Sequence, residues 1–282
     1  VSLHFVRDTL DRHGLRLHRK LGQNFLIEDA MAEKLALRSG VEAGDGVIEV
    51  GTGLGVLTRA LAKRAERVVT IEIDSGLVAA LRGDELLPEN VELVHADALE
   101  IDLRGLARDF GKRPVRVVAN LPYSVASPLL RKLLDLQHAL RDWSVMLQRE
   151  LADRLVAETG TRDYGSLTVL HRLVVDVSRE IELKPRCFFP APKVDSSFVR
   201  LFPREDSPLE PGELPEVERV VRALFNHRRK TILNGLRGAG LAASGDSDAL
   251  VAALEAVQVD PRQRAEKLEP EVLLALSRRL RG

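Results

Sequence analysis

The sequence predicts an open, doubly wound α/β domain over residues 1–207 and a small all-helical domain over residues 208–282. Three observations predict it. Short β-branched runs alternate with helical patterns, and those runs are apolar enough to be buried on both faces of a parallel sheet. A proline-rich acidic stretch, "REDSPLEPGELPE" (204–216), then reads as a linker, and strand signals thin out beyond it.

The elements follow in order. "GVIEV" (46–50) reads as a strand, "GVLTRALAKRA" (55–65) as a helix, "RVVTIEID" (67–74) as a strand and "SGLVAALRG" (75–83) as a helix. "VELVHAD" (91–97) and "VRVVAN" (115–120) are two further strands. "SPLLRKLLDLQ" (127–137) is helical, with Ser127 and Pro128 resembling an N-cap and a first helical position. The strand-rich part continues through "WSVMLQ" (143–148), "SLTVLHRLVVDVSRE" (166–180) and "SSFVRLFP" (196–203). Beyond the linker, "EVERVVRALFNHRR", "TILNGLRGAG", "SDALVAALEAV" and "PEVLLALSRRL" show helical spacing.

With 282 residues, 45% of them hydrophobic and 30% charged, the chain can bury a core. No run approaches about 18 consecutive apolar residues, so no membrane span is expected. The first twenty residues lack a secretory signal, and Cys187 is alone, so no intrachain disulfide can form and a cytoplasmic location is expected. Formal net charge is zero, which does not advertise a nucleic-acid partner. Basic clusters do occur at "RLHRK" (16–20), "NHRRK" (226–230), "PRQR" (261–264) and "SRRLRG" (277–282), and these permit a positive surface without requiring one.

Ligands of doubly wound sheets sit beyond the carboxyl ends of the strands, and the chemistry-bearing residues fall there. "IEVGTGLGVLT" (48–58) places Gly51, Gly53 and Gly55 between a strand and a helix, where glycine permits positive φ and close backbone approach. Its G-x-G-x-G spacing departs from the G-x-G-x-x-G of dinucleotide sites. Glu72 ends the next strand and can accept the two hydroxyls of a ribose; Asp97 ends the third, within reach of an adenine amino group. Either acid alone could be a helix cap or a solvated loop carboxylate. Together the three strand ends suit an adenosine-containing ligand without a pyrophosphate, and S-adenosyl-L-methionine fits. No metal is called for.

A fourth strand end carries "NLPYSVASPLL" (120–130), and "NLPY" is similar to the fourth motif of adenine-N6 methyltransferases. An adenine amino nitrogen is a poor nucleophile because its lone pair is delocalised into the ring. The Asn120 side-chain oxygen and the Leu121 carbonyl can accept its two hydrogens. Pro122 helps aim that carbonyl, and Tyr123 offers a stacking face to an unpaired base. A plain turn accounts for the far side of this motif but not for Asn120 and Tyr123.

"KLGQNFL" (20–26), "EVGTGLGVLT" (49–58), "NLPYSVASPLL", "LQRELADRL" (147–155), "YGSLTV" (164–169), "FFPAPKVDSSFVRL" (188–201) and "FNHRRKTILNGL" (225–236) occur in this order. The whole pattern resembles the ribosomal RNA adenine dimethyltransferase family, nearest to its bacterial small-subunit branch. That resemblance implies a Rossmann-like class I methyltransferase domain. It implies dimethylation of two adjacent adenosines near the 3′ end of small-subunit rRNA, with the rRNA, free or within a particle, as partner. It also implies that Asn24 and Leu26 line the methionine side of the cofactor site, beside Gly51, Glu72, Asp97 and Asn120. Phe188 would sandwich the target base opposite Tyr123, with core packing as its alternative. Thr52 and Ser124 stand where many relatives have proline and asparagine. A large-subunit rRNA dimethylase, a DNA adenine methyltransferase and a non-catalytic RNA-binding assembly factor are the competing expectations. Nothing requires more than a monomer.

Overall fold

Seven strands join one sheet because their β-branched residues can be covered on both faces. The computed structural model describes residues 3–15, 23–120, 123–239 and 247–281, with Tyr123 and Ser124 placed by their backbone alone. In chain order the elements are α1 (Leu3–Arg12), β1 (Phe25–Leu26), α2 (Asp29–Arg38), β2 (Gly46–Val50), α3 (Val56–Ala62), β3 (Arg67–Glu72) and α4 (Ser75–Gly83). There follow β4 (Val91–His95), α5 (Leu103–Arg108), β5 (Val115–Asn120), α6 (Tyr123–Leu134), β6 (Asp142–Gln148), α7 (Arg149–Leu155) and α8 (Ser166–Arg172). The last are β7 (Val175–Leu183), β8 (Phe188–Phe189), β9 (Ser196–Pro203), α9 (Leu214–Phe225), α10 (Ile232–Gly238), α11 (Ser247–Ala256) and α12 (Pro270–Arg279).

The strand order is β4-β3-β2-β5-β6-β9-β7, and β1 pairs with β8 in a separate two-stranded ribbon. β2 runs parallel to both β3 and β5, β5 parallel to β6, and β9 antiparallel to β6. Chain order therefore reverses between β2 and β5, which is where an open α/β sheet forms its ligand crevice. Val50 is in register with Ala119, so Gly51 and Asn120 emerge side by side at that point.

The chain divides into two compact units, residues 1–152 with 177–203, and residues 153–176 with 204–282. Relative to the boundary at 207/208 read from the sequence, the second unit starts four residues earlier and also takes in 153–176. Long-range contacts recruit that segment: the buried Tyr164 hydroxyl donates to the Leu268 carbonyl at 2.7 Å, and its ring meets Phe225 edge-on. Within the same unit Arg278 bonds both oxygens of Glu213 and holds that carboxyl below its ordinary range.

The first unit is pinned at the start of its parallel strands by buried ions. Arg116 donates to Asp45 at 2.6 Å and to Asp142, and Arg200 reaches Asp142 at 2.6 Å. Buried charges persist only when paired in this way.

Two readings are corrected. Residues 166–172 form α8 rather than a strand, because Thr168 caps it, bonding the Gly165 N–H and the Arg154 carbonyl, and burial outweighs β-branched propensity. Helix α6 begins at Tyr123, so Pro128 lies inside it and Ser127 is not its cap. A proline this near the N-terminus forfeits one helical hydrogen bond. Among the described residues no helix is long and apolar enough to cross a membrane.

Candidate functional site

The glycine loop after β2 is built for close approach. Gly51 has φ +87°, and a Cβ there would stand 3.0 Å from the Asn120 carbonyl oxygen. Gly51 donates its N–H to the Ile71 carbonyl, and the Gly53 N–H points to Glu72 Oε2 at 2.9 Å. The other Glu72 oxygen accepts the Ile73 and Asp74 N–H groups at 3.0 and 2.9 Å. Burial raises the Glu72 carboxyl above its ordinary range, and these backbone donors oppose the rise. The result is an oriented acid whose Oε2, bonded to one backbone donor, retains acceptor capacity toward the loop.

Asp97 follows β4 and uses Oδ1 to accept the Leu99 N–H at 2.8 Å. Its Oδ2 accepts no hydrogen bond among the described residues. Directly after Glu72 comes Ile73, 48% exposed, an apolar side chain at a strand end that sequence reading did not single out. Its signal was available: a lone isoleucine between the acids of "EIDS" directly after a buried strand.

Sequence reading also missed what lies beneath the loop. Glu49 is fully buried in β2, and burial pushes its carboxyl up to about 7. Thr70 donates to Glu49 Oε2 at 2.7 Å, and the Thr52 hydroxyl lies 2.7 Å from that of Thr70. Thr52 thus supplies a polar link to the floor of the loop. The clue was a glutamate amid the apolar residues of "VIEV".

Asn120 ends β5, and its amide nitrogen donates to the Asn24 carbonyl at 3.5 Å. That contact turns Oδ1 away from Asn24 as an acceptor. Leu121, Pro122 and the side chain of Tyr123 lie outside the described residues. Asn24 reaches Asn120 because β1 pairs with β8, with Phe25 opposite Phe189 and Leu26 opposite Phe188. Leu26 and Phe188 face the core together, and Phe188 is only 4% exposed, in one cluster with Ala32, Leu35 and Phe198. This burial favours core packing, the alternative weighed for Phe188, over a stacking face: one face of a two-residue ribbon must cover the core, and Phe188 is on it. Phe189, on the other face, is partly exposed, with the Arg7 guanidinium 5.2 Å above its ring.

The structure thus brings Gly51, Gly53, Glu72, Asn24 and Asn120 to one set of strand ends, with Asp97 beyond β4. Among the described residues no cluster of three or more His, Cys, Asp or Glu side chains could hold a metal ion. In the second unit, the Ile232 N–H bonds the Gln263 carbonyl and the Leu233 N–H reaches that of Pro261. Two basic clusters distant in sequence become neighbours, exposing Arg229, Lys230, Arg262 and Arg264.

Comparison with known proteins agrees over nearly the whole chain. A family model described as ribosomal RNA adenine dimethylase matches residues 14–281. The ribosomal RNA small subunit methyltransferase A of Geobacter metallireducens is 40% identical over 265 residues, covering 94% of this chain and 96% of that protein. Its counterpart in Geobacillus thermodenitrificans is 39% identical, covering 98% and 94%. Among solved structures, a dimethyladenosine transferase from Plasmodium falciparum aligns with TM-score 0.75 at 26% identity, over 89% of this chain and 95% of that one. The 23S rRNA methyltransferase ErmE aligns with TM-score 0.61 at 28% identity, over 92% and all of its chain. The ordered motifs and these matches therefore have a single explanation: the chain belongs to the ribosomal RNA adenine dimethylase family.

Proposed function

We propose that this enzyme dimethylates N6 of two adjacent adenosines in the 3′-terminal hairpin loop of small-subunit rRNA, using S-adenosyl-L-methionine. The observation that carries the reading is Asn120, an amide whose nitrogen is tied to the Asn24 carbonyl beside the Gly51 loop.

The residues at the strand ends fit this cofactor. Gly51 and Gly53 admit a ligand against bare backbone, Glu72 Oε2 accepts from a ribose, Asp97 Oδ2 accepts from an adenine amino group, and Ile73 covers the adenine face. Asn24 stands at the methionine side, and Leu26, buried beneath, holds the ribbon that presents it. S-adenosyl-L-methionine supplies an electrophilic methyl group when bound.

The remaining chemistry belongs to the chain. Asn120 Oδ1 and the Leu121 carbonyl accept the two hydrogens of the target amino group and favour a pyramidal nitrogen with its lone pair free. Pro122 restrains that carbonyl, and Tyr123 stacks on the flipped base, an interaction worth about 1–3 kcal/mol. The base needs no side-chain catalyst for deprotonation, because the alkylated nitrogen is acidic enough to release its proton to water. Positioning is the main device. With Phe188 in the core, Phe189 is the aromatic of that ribbon available to the RNA. The exposed arginines and lysine of the second unit supply phosphate contacts. The substrate is the RNA within a small subunit or its precursor, met in the cytoplasm by a monomer.

The test offers labelled cofactor to unmethylated small subunits, large-subunit RNA and DNA in parallel. Label confined to two adjacent small-subunit adenosines is expected. Label only in large-subunit RNA or DNA would overturn the substrate assignment, and cofactor binding without any transfer would favour a non-catalytic assembly role.

A further inference from the structure

Outside the residues assigned so far, one half-buried cation stands out by its geometry. Lys132 lies in α6, more than two turns beyond the first residue of that helix, and its ammonium donates to three backbone carbonyls at once. The distances are 3.1 Å to Ala98, 2.8 Å to Leu99 and 2.7 Å to Ile101. An ammonium has three hydrogens, so the set uses all of them. No carboxylate lies in salt-bridge contact with it among the described residues.

Those carbonyls belong to the turn that Asp97 opens. The Glu100 and Ile101 N–H groups both bond the Asp97 carbonyl, and the Leu99 N–H bonds Asp97 Oδ1. The turn's donors thus point inward to Asp97, and three of its acceptors point outward to one spot. Three carbonyl oxygens converging on a point repel one another unless a positive charge sits between them. Remove that charge and the turn opens, and Oδ2 of Asp97 loses its fixed direction. Burial draws the lysine's pKa down, the expected cost of placing an ammonium where carbonyls replace water.

We infer that Lys132 is a positioning residue for cofactor recognition: it clamps the Asp97 turn to the helix that begins with the target-base motif, and so aims the carboxylate at the adenine amino group. The inference rests on the assignment of Asp97 to adenine made above. It also places the adenine-reading acid and the target-base motif on a common mechanical support.

The experiment compares the binding of S-adenosylhomocysteine and its inosine counterpart, which replaces the amino group by a carbonyl. Dissociation constants for both are measured by calorimetry on the full chain as wild type, Asp97→Asn, Lys132→Met and Lys132→Gln. Wild type should favour the adenosyl ligand strongly, and Asp97→Asn should lose most of that preference. Lys132→Met should cut the preference about tenfold, the scale of a forfeited charge-assisted hydrogen bond. Lys132→Gln, which keeps a neutral donor, should fall between. A merely structural lysine would weaken both ligands equally and leave their ratio unchanged. An unchanged ratio in Lys132→Met, or in Lys132→Gln if the first variant does not fold, overturns the inference while Asp97→Asn still responds. An unchanged ratio in Asp97→Asn itself refutes the adenine assignment, and with it the role given to Lys132.

Discussion

An amide at a strand end is oriented by the partner its nitrogen finds, and at Asn120 that partner is the Asn24 carbonyl at 3.5 Å, which leaves the amide oxygen facing elsewhere. Asn120→Ala removes the acceptor but none of the cofactor-facing acids. Methyl transfer should fall by at least about a hundredfold, as when a single transition-state donor is removed elsewhere, while cofactor affinity measured by calorimetry is affected far less. A second test at this scale concerns Glu49, whose carboxyl is pushed by burial from 4.5 to about 7. A folded pKa above the unfolded one means that its contribution is fully present below about pH 4.5 and is lost as pH rises through 7. Stability should therefore decline over that window, by a total of order 3 kcal/mol. Glu49→Gln, neutral throughout, should flatten the profile of Tm against pH; an unaltered profile would show that Glu49 ionises freely in the fold. Thr52→Val should cost about 1 kcal/mol by unmaking the link to Thr70.

Among the elements, the ribbon of β1 and β8 joins segments about 160 residues apart and carries Asn24 to Asn120 on one side while burying Leu26 and Phe188 on the other. Phe188→Ala should destabilise the fold by about 3–5 kcal/mol, read as a lower denaturant midpoint. Phe188→Leu should fold and retain transfer, whereas a base-stacking aromatic would lose activity on that change with little loss of stability. The bounds of β2, β5, β9 and α4 were legible in the sequence because each is a continuous apolar or amphipathic run between turn residues. The doubly wound α/β fold, read from alternation, is borne out by the strand order, and the family, read from seven ordered motifs, by the match over residues 14–281. Helix α8 was not legible, since its Thr168 and Val169 favour strands and only burial and the cap decide against them. The start of α6 was hidden by Pro128, which looks like an opening residue and is not one. The burial of Phe188 was equally hidden, because a two-residue ribbon has no periodicity to say which face meets the core. Glu49, Ile73 and Lys132 act through neighbours brought together by the sheet, a relation that spacing along the chain does not carry.

At the scale of the whole molecule, a chain of zero net charge gains affinity for RNA through local clusters, and the second unit assembles one from Arg229, Lys230, Arg262 and Arg264. Affinity for small-subunit RNA should fall as salt rises. Replacing Lys230 and Arg264 by alanine should weaken binding and make the slope of log K against log salt less steep by roughly one for each phosphate no longer engaged. An identical slope would place the RNA elsewhere. Because 153–176 belongs to the second unit, Tyr164→Phe, which forfeits the bond to Leu268, should destabilise that unit by about 1 kcal/mol. The most direct measurement of the central claim is the rate of label transfer from S-adenosyl-L-methionine to unmethylated small subunits by wild type and Asn120→Ala, with cofactor binding measured on the same samples. Two dimethylated adjacent adenosines with wild type, and binding without transfer in the variant, are predicted; transfer at the wild-type rate by Asn120→Ala would contradict it.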